Sequence, residues 1–343
     1  VSRPALLAPL AFLYGVAVGF RNRHYDRSSN RRKASLPVIS VGNVTVGGTG
    51  KTPMVAWLAE RLISAGFKPA VVSRGYGGSA GKGPRPVTER STAAECGDEP
   101  RLLASKLLGA VVLVGSDRHV VAESAVEHAA DVVLLDDGYQ HRRLVRDLDI
   151  LLLDSGSPFG NGRLLPAGPL REPLDSLGRA DVIVATGCDS SDSASRIEEL
   201  VRPYNGAAPV FGSRRRRAGF IDAAGRPSSA PSRAVAFCGI ARPERFRADL
   251  RAEGVDIIAF RPFRDHHRYT ARELQELAEL ARAEEATLVT TEKDLARLGP
   301  GYGPGAVALR IEAEIFEEEV FLAAVTTAIE TEVPFVREKR NGA

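Results

Sequence analysis

VISVGNVTVGGTGKTP, residues 38–53, decides the fold. It opens on an apolar, largely β-branched run, residues 38–41, turns through a glycine-rich loop, and passes through Gly50, Lys51 and Thr52 into a helical pattern. Strand, glycine loop, Lys-Thr and helix in that order read as a P-loop. On this reading Thr45, Val46, Gly47, Gly48, Thr49, Gly50, Lys51 and Thr52 cradle the phosphates of ATP. Backbone N–H groups and the helix N-terminus supply positive ends. Lys51 is expected at the β- and γ-phosphates and the Thr52 hydroxyl on Mg²⁺. One position departs from the common pattern. Thr45 stands where a glycine is usual, six residues before the lysine, and Gly47 and Gly48 are expected to take over the tight turn.

Outward from this stretch the chain alternates. Strands are expected at 69–73, 110–114, 131–135, 148–153 and 181–185, with helices between them. That alternation predicts a P-loop NTPase-like α/β fold, a mostly parallel sheet with helices on both faces. Ligands of such sheets sit at the carboxyl ends of the strands. The chain's 343 residues exceed what one small core organises, so a second, smaller α/β/α domain is expected. The boundaries drawn are an amino-terminal segment at 1–33, the nucleotide-binding domain at 34–204, a linker at 205–233 and the smaller domain at 234–343. The linker reading rests on Arg214, Arg215, Arg216 and Arg217 followed by Ala, Gly, Pro and Ser, with room for a short hairpin at AAGRP. The four arginines fit either a solvated face or a headgroup contact.

Net charge is +3, so bulk charge does not point to a nucleic-acid partner, and no obligate protein partner is evident. The three cysteines are widely spaced and odd in number, which speaks against a disulfide framework or a structural zinc site. Residues 5–20 carry no charge and precede the basic run RNRHYDRSSNRRK. Sixteen helical residues span roughly 24 Å, short of a roughly 30 Å hydrocarbon core. An apolar helix beside a cationic cluster suits a membrane-surface anchor. A helix buried against the domain and a signal peptide are the competing readings.

Carboxylates mark the remaining connections. Asp136 and Asp137 end the strand at 131–135, the Walker-B arrangement for holding Mg²⁺, although an Asp-Gly turn is common after any strand. Asp98 opens a helix, either as its N-cap or as one of two carboxylates, with Glu99, beside the phosphates. In the second half, His266 and His267 stand in a charged loop before a helix. Thr291, Glu292, Lys293 and Asp294 follow a buried strand and fit either a helix cap or a base-reading turn.

Six motifs occur in one order: VGNVTVGGTGKTP, RGYGG, GDEP, DDGYQH, GRLLPAGPLREP and FRDHHRY. Together they closely resemble the tetraacyldisaccharide 4′-kinase family of lipid A biosynthesis. The resemblance implies a peripheral enzyme at the cytoplasmic face of the inner membrane, moving the γ-phosphate of ATP to the 4′-hydroxyl of a tetraacylated glucosamine disaccharide 1-phosphate. It implies Asp98 and His266 as an acid–base pair, and Thr52, Glu99, Asp136 and Asp137 as metal-side residues. Arg74, His141 and Arg171, within three of those motifs, are expected at the acceptor substrate. The alternatives are another membrane-associated P-loop ATPase or kinase, or a nucleotide switch.

Overall fold

The structure, a computed structural model, describes residues 6–79, 81, 83–88, 90–298 and 305–341, the last nine without side-chain detail. Residues 1–5, the start of the expected anchor, and residues 342–343, the end of the expected smaller domain, lie outside the described residues.

The first half reads, in chain order, α1 (Ala8–Asp26), β1 (Val38–Asn43), α2 (Lys51–Ser64), β2 (Pro69–Ser73), β3 (Arg85–Pro86), α3 (Ala93–Cys96), α4 (Asp98–Lys106), β4 (Val111–Val114), α5 (Arg118–Ser124), β5 (Val132–Asp136), β6 (Leu148–Asp154), β7 (Val182–Thr186) and α6 (Ser191–Val201). The rest follows as β8 (Val210–Ile221), β9 (Pro227–Ser228), β10 (Arg233–Cys238), α7 (Pro243–Ala252), β11 (Asp256–Pro262), α8 (Ala271–Ala283), β12 (Thr287–Thr291), α9 (Glu292–Leu298), β13 (Ala306–Ile315) and α10 (Glu318–Asn341).

One continuous sheet carries the molecule, in the order β11-β10-β12-β13-β8-β7-β6-β1-β5-β2-β4-β3, with β9 paired to β8. Pairing is parallel except at β13·β8, β3·β4 and β8·β9. Continuous apolar strands fit such a sheet because both faces are covered. Alternate residues feed opposite cores: Ile39 and Leu134 pack with Met54, Leu58 and Leu62 of α2, whereas Val38, Val133 and Leu135 pack with Val121 and Ala122 of α5. Each half has a strand whose two neighbours lie in opposite directions along the sheet, β1 between β5 and β6, and β10 between β11 and β12. The crevices beyond β1 and β10 open into one cleft.

Three expectations change. Residues 205–233 are not an irregular linker, because they contain β8, which pairs with β7 in parallel and with β13 in antiparallel register. The expected hairpin at AAGRP forms, closed by Asp222 N–H donating to Arg226 O. The arginines are partnered on both sides of the strand. Arg214 and Arg216 meet Glu314 and Glu312 across the ladder, and Arg215 and Arg217 meet Asp249 and Glu253 of α7 and its end. Residues 318–341, grouped by sequence with the second half, place Phe321, Val325 and Ile329 in the first half's core, where Phe321 lies 5.6 Å from the Trp57 ring. Helix α1 also runs on through the basic run to Asp26, and no helix among the described residues is long and apolar enough to cross a membrane.

Candidate active site

The P-loop connects β1 to α2. Gly47 (φ +116°) and Gly50 (φ +82°) take the left-handed turns, conformations costly for a residue with a Cβ. Thr45 is buried and extended, bridged to Leu170, and Val46 N–H donates to Pro169 O at 2.8 Å. The segment before the glycines is therefore held by the 162–173 loop, so no glycine is required at position 45. Asn43 Nδ2 donates to Thr49 Oγ1 (2.8 Å), and Lys51 Nζ lies 3.3 Å from Asn43 Oδ1.

Asp136 and Asp137 have different surroundings. Asp136 is buried at the end of β5, and Ser73 Oγ donates to its Oδ2 at 3.3 Å. Its Oδ1 has no hydrogen-bond partner among the described residues. Burial, with Glu99 and Asp137 nearby, pushes its carboxyl up to about 7. Asp137, at φ +55°, turns toward cations, with Arg171 Nη1 at 2.9 Å and Lys51 Nζ at 3.7 Å. Burial works to raise its pKa, but Lys51 and Arg171 prevail and hold it below the usual carboxylate range. Arg171 also lies 3.4 Å from Gln140 Oε1. Gln140 in turn donates to Asn43 O at 2.8 Å, tying this loop to the end of β1.

Across the cleft, His266 stands at φ +58° in the loop before α8, its Nδ1 2.8 Å from Asp98 Oδ2. Asp98 is the first residue of α4 and Gly97 (φ +91°) occupies the cap position, so the carboxylate is directed outward rather than spent on its own helix. Arg297 donates to the same oxygen from Nε (3.0 Å) and Nη2 (2.8 Å). Burial opposes ionisation of Asp98, yet Arg297 and His266 hold its pKa below the usual range. Behind Arg297, buried Asp294 accepts from Tyr269 OH (2.9 Å), Thr291 Oγ1 (2.6 Å) and Gly239 N–H (3.1 Å). His267 turns away, stacked on the Phe263 ring and 3.1 Å from Glu273.

Lys51, Asp98, Asp136, Asp137, Arg171 and His266 line one cleft of about 1070 Å³ between the halves, together with Thr52, Arg74, Glu99 and His141. Burial, with Arg118 and Arg146 nearby, lowers His141 to about 4, so its imidazole is neutral at ordinary pH. Two further cationic residues line the cleft, Lys293 and Arg118. Lys293, the second residue of α9, places Nζ 3.5 Å from Glu99 and 3.4 Å from His266 Nε2. Arg118, at the start of α5, donates to Asp136 O at 3.4 Å. The available signals were capping residues just beyond a strand's carboxyl end, Asp117 directly before Arg118 and Thr291 two residues before Lys293.

Residues 3–330 match a family model described as tetraacyldisaccharide-1-P 4′-kinase. A tetraacyldisaccharide 4′-kinase of Anaeromyxobacter sp. is 42% identical over 335 residues, spanning 93% of this chain and 89% of that one. The enzyme of that name from Geobacter sulfurreducens is 46% identical over 313 residues, spanning 87% of each. The solved structure of LpxK from Aquifex aeolicus, described as an "apo" form in complex with ATP, superposes with a TM-score of 0.79 at 32% identity, covering 96% of this chain and 100% of that one.

Proposed function

This chain belongs to the tetraacyldisaccharide-1-P 4′-kinase family, and from that premise we propose that it transfers the γ-phosphate of ATP to the 4′-hydroxyl of a tetraacylated glucosamine disaccharide 1-phosphate in lipid A biosynthesis, with Asp98 and His266 as the base. The observation that carries this reading is the 2.8 Å contact between His266 Nδ1 and Asp98 Oδ2, made across the cleft that the P-loop lines. With Nδ1–H donated to Asp98, the lone pair of His266 Nε2 faces the cleft, and an incoming hydroxyl would take the place of Lys293 Nζ, 3.4 Å away, to give up its proton there. Asp98 orients the ring and offsets its charge once protonated, and Arg297 keeps Asp98 ionised. Lys51 and the P-loop N–H groups take up charge on the transferring phosphate. Asp137, itself held by Arg171, keeps Lys51 in place. Arg74 and His141 stand on the acceptor side of this reading.

Mg²⁺ fits the donors present. Asp136 Oδ1 is buried without a hydrogen-bond partner among the described residues, and Thr52 and Glu99 line the same cleft. Among the described residues no group of three or more His, Cys, Asp or Glu forms a ready-made cage, which suits a cation that takes its other ligands from phosphates and water. When bound, Mg²⁺ supplies neutralisation of phosphate charge.

Two organisational features belong to the same proposal. Residues 34–204 form the nucleotide-binding domain and residues from 234 to the end of β13 the smaller one, each bringing one partner of the Asp98–His266 pair, while α10 packs back on the first half. Helix α1 and its basic end hold the enzyme at the cytoplasmic face of the inner membrane, supported by exposed Phe12, Leu13, Val16 and Phe20 beside Arg23 and Arg27. Incubation with γ-labelled ATP, Mg²⁺ and the acylated disaccharide phosphate is expected to give a labelled bisphosphorylated lipid. Label recovered only as free phosphate would favour a nucleotide switch instead.

A further inference from the structure

Helix α1 has two faces with different surroundings. Phe12 (71% exposed), Leu13 (62%) and Phe20 (66%) look away from the body. Tyr14, Gly15, Val18, Arg21 and Asn22 recur at helical spacing on the other side, and that side is pinned at two places. Tyr14 OH donates to Arg171 O at 2.9 Å, and Arg21 Nη2 meets Glu172 at 2.5 Å. Glu172 is fully buried and shared with Arg179. A Cβ at Gly15 would come within 2.8 Å of Leu164 Cδ1, so the helix backbone rests directly on the 162–173 loop. Further along, Arg142 donates to Asn22 O (2.9 Å) and pairs with Asp26 (2.6 Å).

The two pinned segments are the two that make the Arg171–Asp137 pair. Tyr14 and Arg21 grip the chain at Arg171 and Glu172, and Asn22 and Asp26 grip Arg142, five residues after Asp137. The 162–173 loop also holds the P-loop, through Arg171 N–H to Val44 O (2.7 Å) and Val46 N–H to Pro169 O (2.8 Å). We propose that the inner face of α1 is a positioning element of the phosphate site, with Tyr14 and Arg21 setting Arg171 against Asp137 and Lys51 rather than merely tethering the protein. Contact of the outer face with a lipid surface is thereby connected through one rigid helix to the loops that hold phosphate. The inference rests on the kinase reading for its assay but not for its geometry.

The test uses the full chain with acceptor in detergent micelles, so that membrane binding does not limit turnover. Arg21→Ala is expected to lower kcat about 10-fold, as a misplaced positioning group does, with vesicle co-sedimentation within twofold of wild type. Arg21→Lys is expected to recover most of that loss. Paired with Arg171→Ala, the double variant is expected to be no slower than Arg171→Ala alone, because both act through one contact. If Arg21→Ala fails to fold, Tyr14→Phe, which removes one hydroxyl, carries the test with an expected loss of about 3-fold. Wild-type turnover in Arg21→Ala and Tyr14→Phe, or losses that multiply with Arg171→Ala, would overturn the inference. Absence of lipid product from the wild-type protein would instead sink the kinase reading, and the same series read by affinity for a fluorescent ATP analogue would still decide the coupling.

Discussion

Asp98 and His266 are 168 residues apart in the chain and 2.8 Å apart in space, and the carboxylate oxygen that meets the imidazole also takes two N–H bonds from Arg297. A histidine oriented in this way has Nδ1 committed to the carboxylate and Nε2 facing the cleft, 3.4 Å from Lys293 Nζ. We expect His266→Ala and Asp98→Asn each to lower kcat by roughly 10²–10⁴ while ATP still binds, the range for loss of a positioned base. His267→Ala should keep most activity, since its ring stacks on Phe263 and pairs with Glu273. Steady-state kinetics on the purified variants decide this. Near-normal turnover in His266→Ala would remove the pair from the mechanism.

Buried Asp136 gives a pH signature in the metal-free protein. Its carboxyl, ordinarily near 3.8, is raised to about 7 in the fold. Between those values the unfolded chain has lost its proton and the folded one keeps it, so stability falls as pH rises to about 7 and is level above that. Asp136→Asn has no proton to lose. We expect the variant to melt about 2–5 °C above wild type at pH 8, with the gap closing toward pH 4, and to lose turnover. Calorimetry in EDTA across that range tests it, and parallel pH profiles for the two proteins would count against a buried carboxyl that keeps its proton to about pH 7.

Much of this site was legible because P-loop chemistry demands particular residues in order along the chain. Asp98 was legible only as a motif residue, since the local signal at the start of α4 reads equally as a cap. The structure resolves that ambiguity by giving Gly97 the cap position and sending the carboxylate to the other half of the molecule. Strand β8 was hidden for a different reason. Four successive arginines erase the apolar alternation by which a strand is recognised, and their partners Glu312 and Glu314 arrive about a hundred residues later. Lys293 and Arg297 escaped because only tertiary packing of α9 against α4 brings them to Glu99 and Asp98.

Lys293, from the second half, stands 3.4 Å from His266 Nε2 and 3.5 Å from Glu99. It lines the same cleft as the P-loop, where a cation can meet phosphate charge. We expect Lys293→Met to lower kcat by about 10–100-fold, typical of losing one electrostatic contact to a developing charge, with a smaller change in KM for ATP. Lys293→Arg should restore part of the rate. An unchanged kcat in Lys293→Met would leave the lysine a structural role at the α4·α9 contact.

Exposed apolar side chains on α1 allow membrane contact to be separated from folding. Phe12 and Phe20 lie on the outer face, more than half exposed, opposite Tyr14 and Arg21. Replacing both with serine removes apolar surface that water now touches, so the folded state loses little. A lipid interface would lose on the order of 1.5 kcal/mol or more per ring if each is buried there. We therefore expect Phe12→Ser/Phe20→Ser to bind anionic vesicles at least about 10²-fold more weakly, with a melting temperature close to wild type. The basic end of the helix should make the wild-type binding weaken as salt is raised from about 0.1 M, where the screening length is about 10 Å. Vesicle co-sedimentation at two salt concentrations reads both effects. Binding that survives the double substitution would show that another surface meets the membrane.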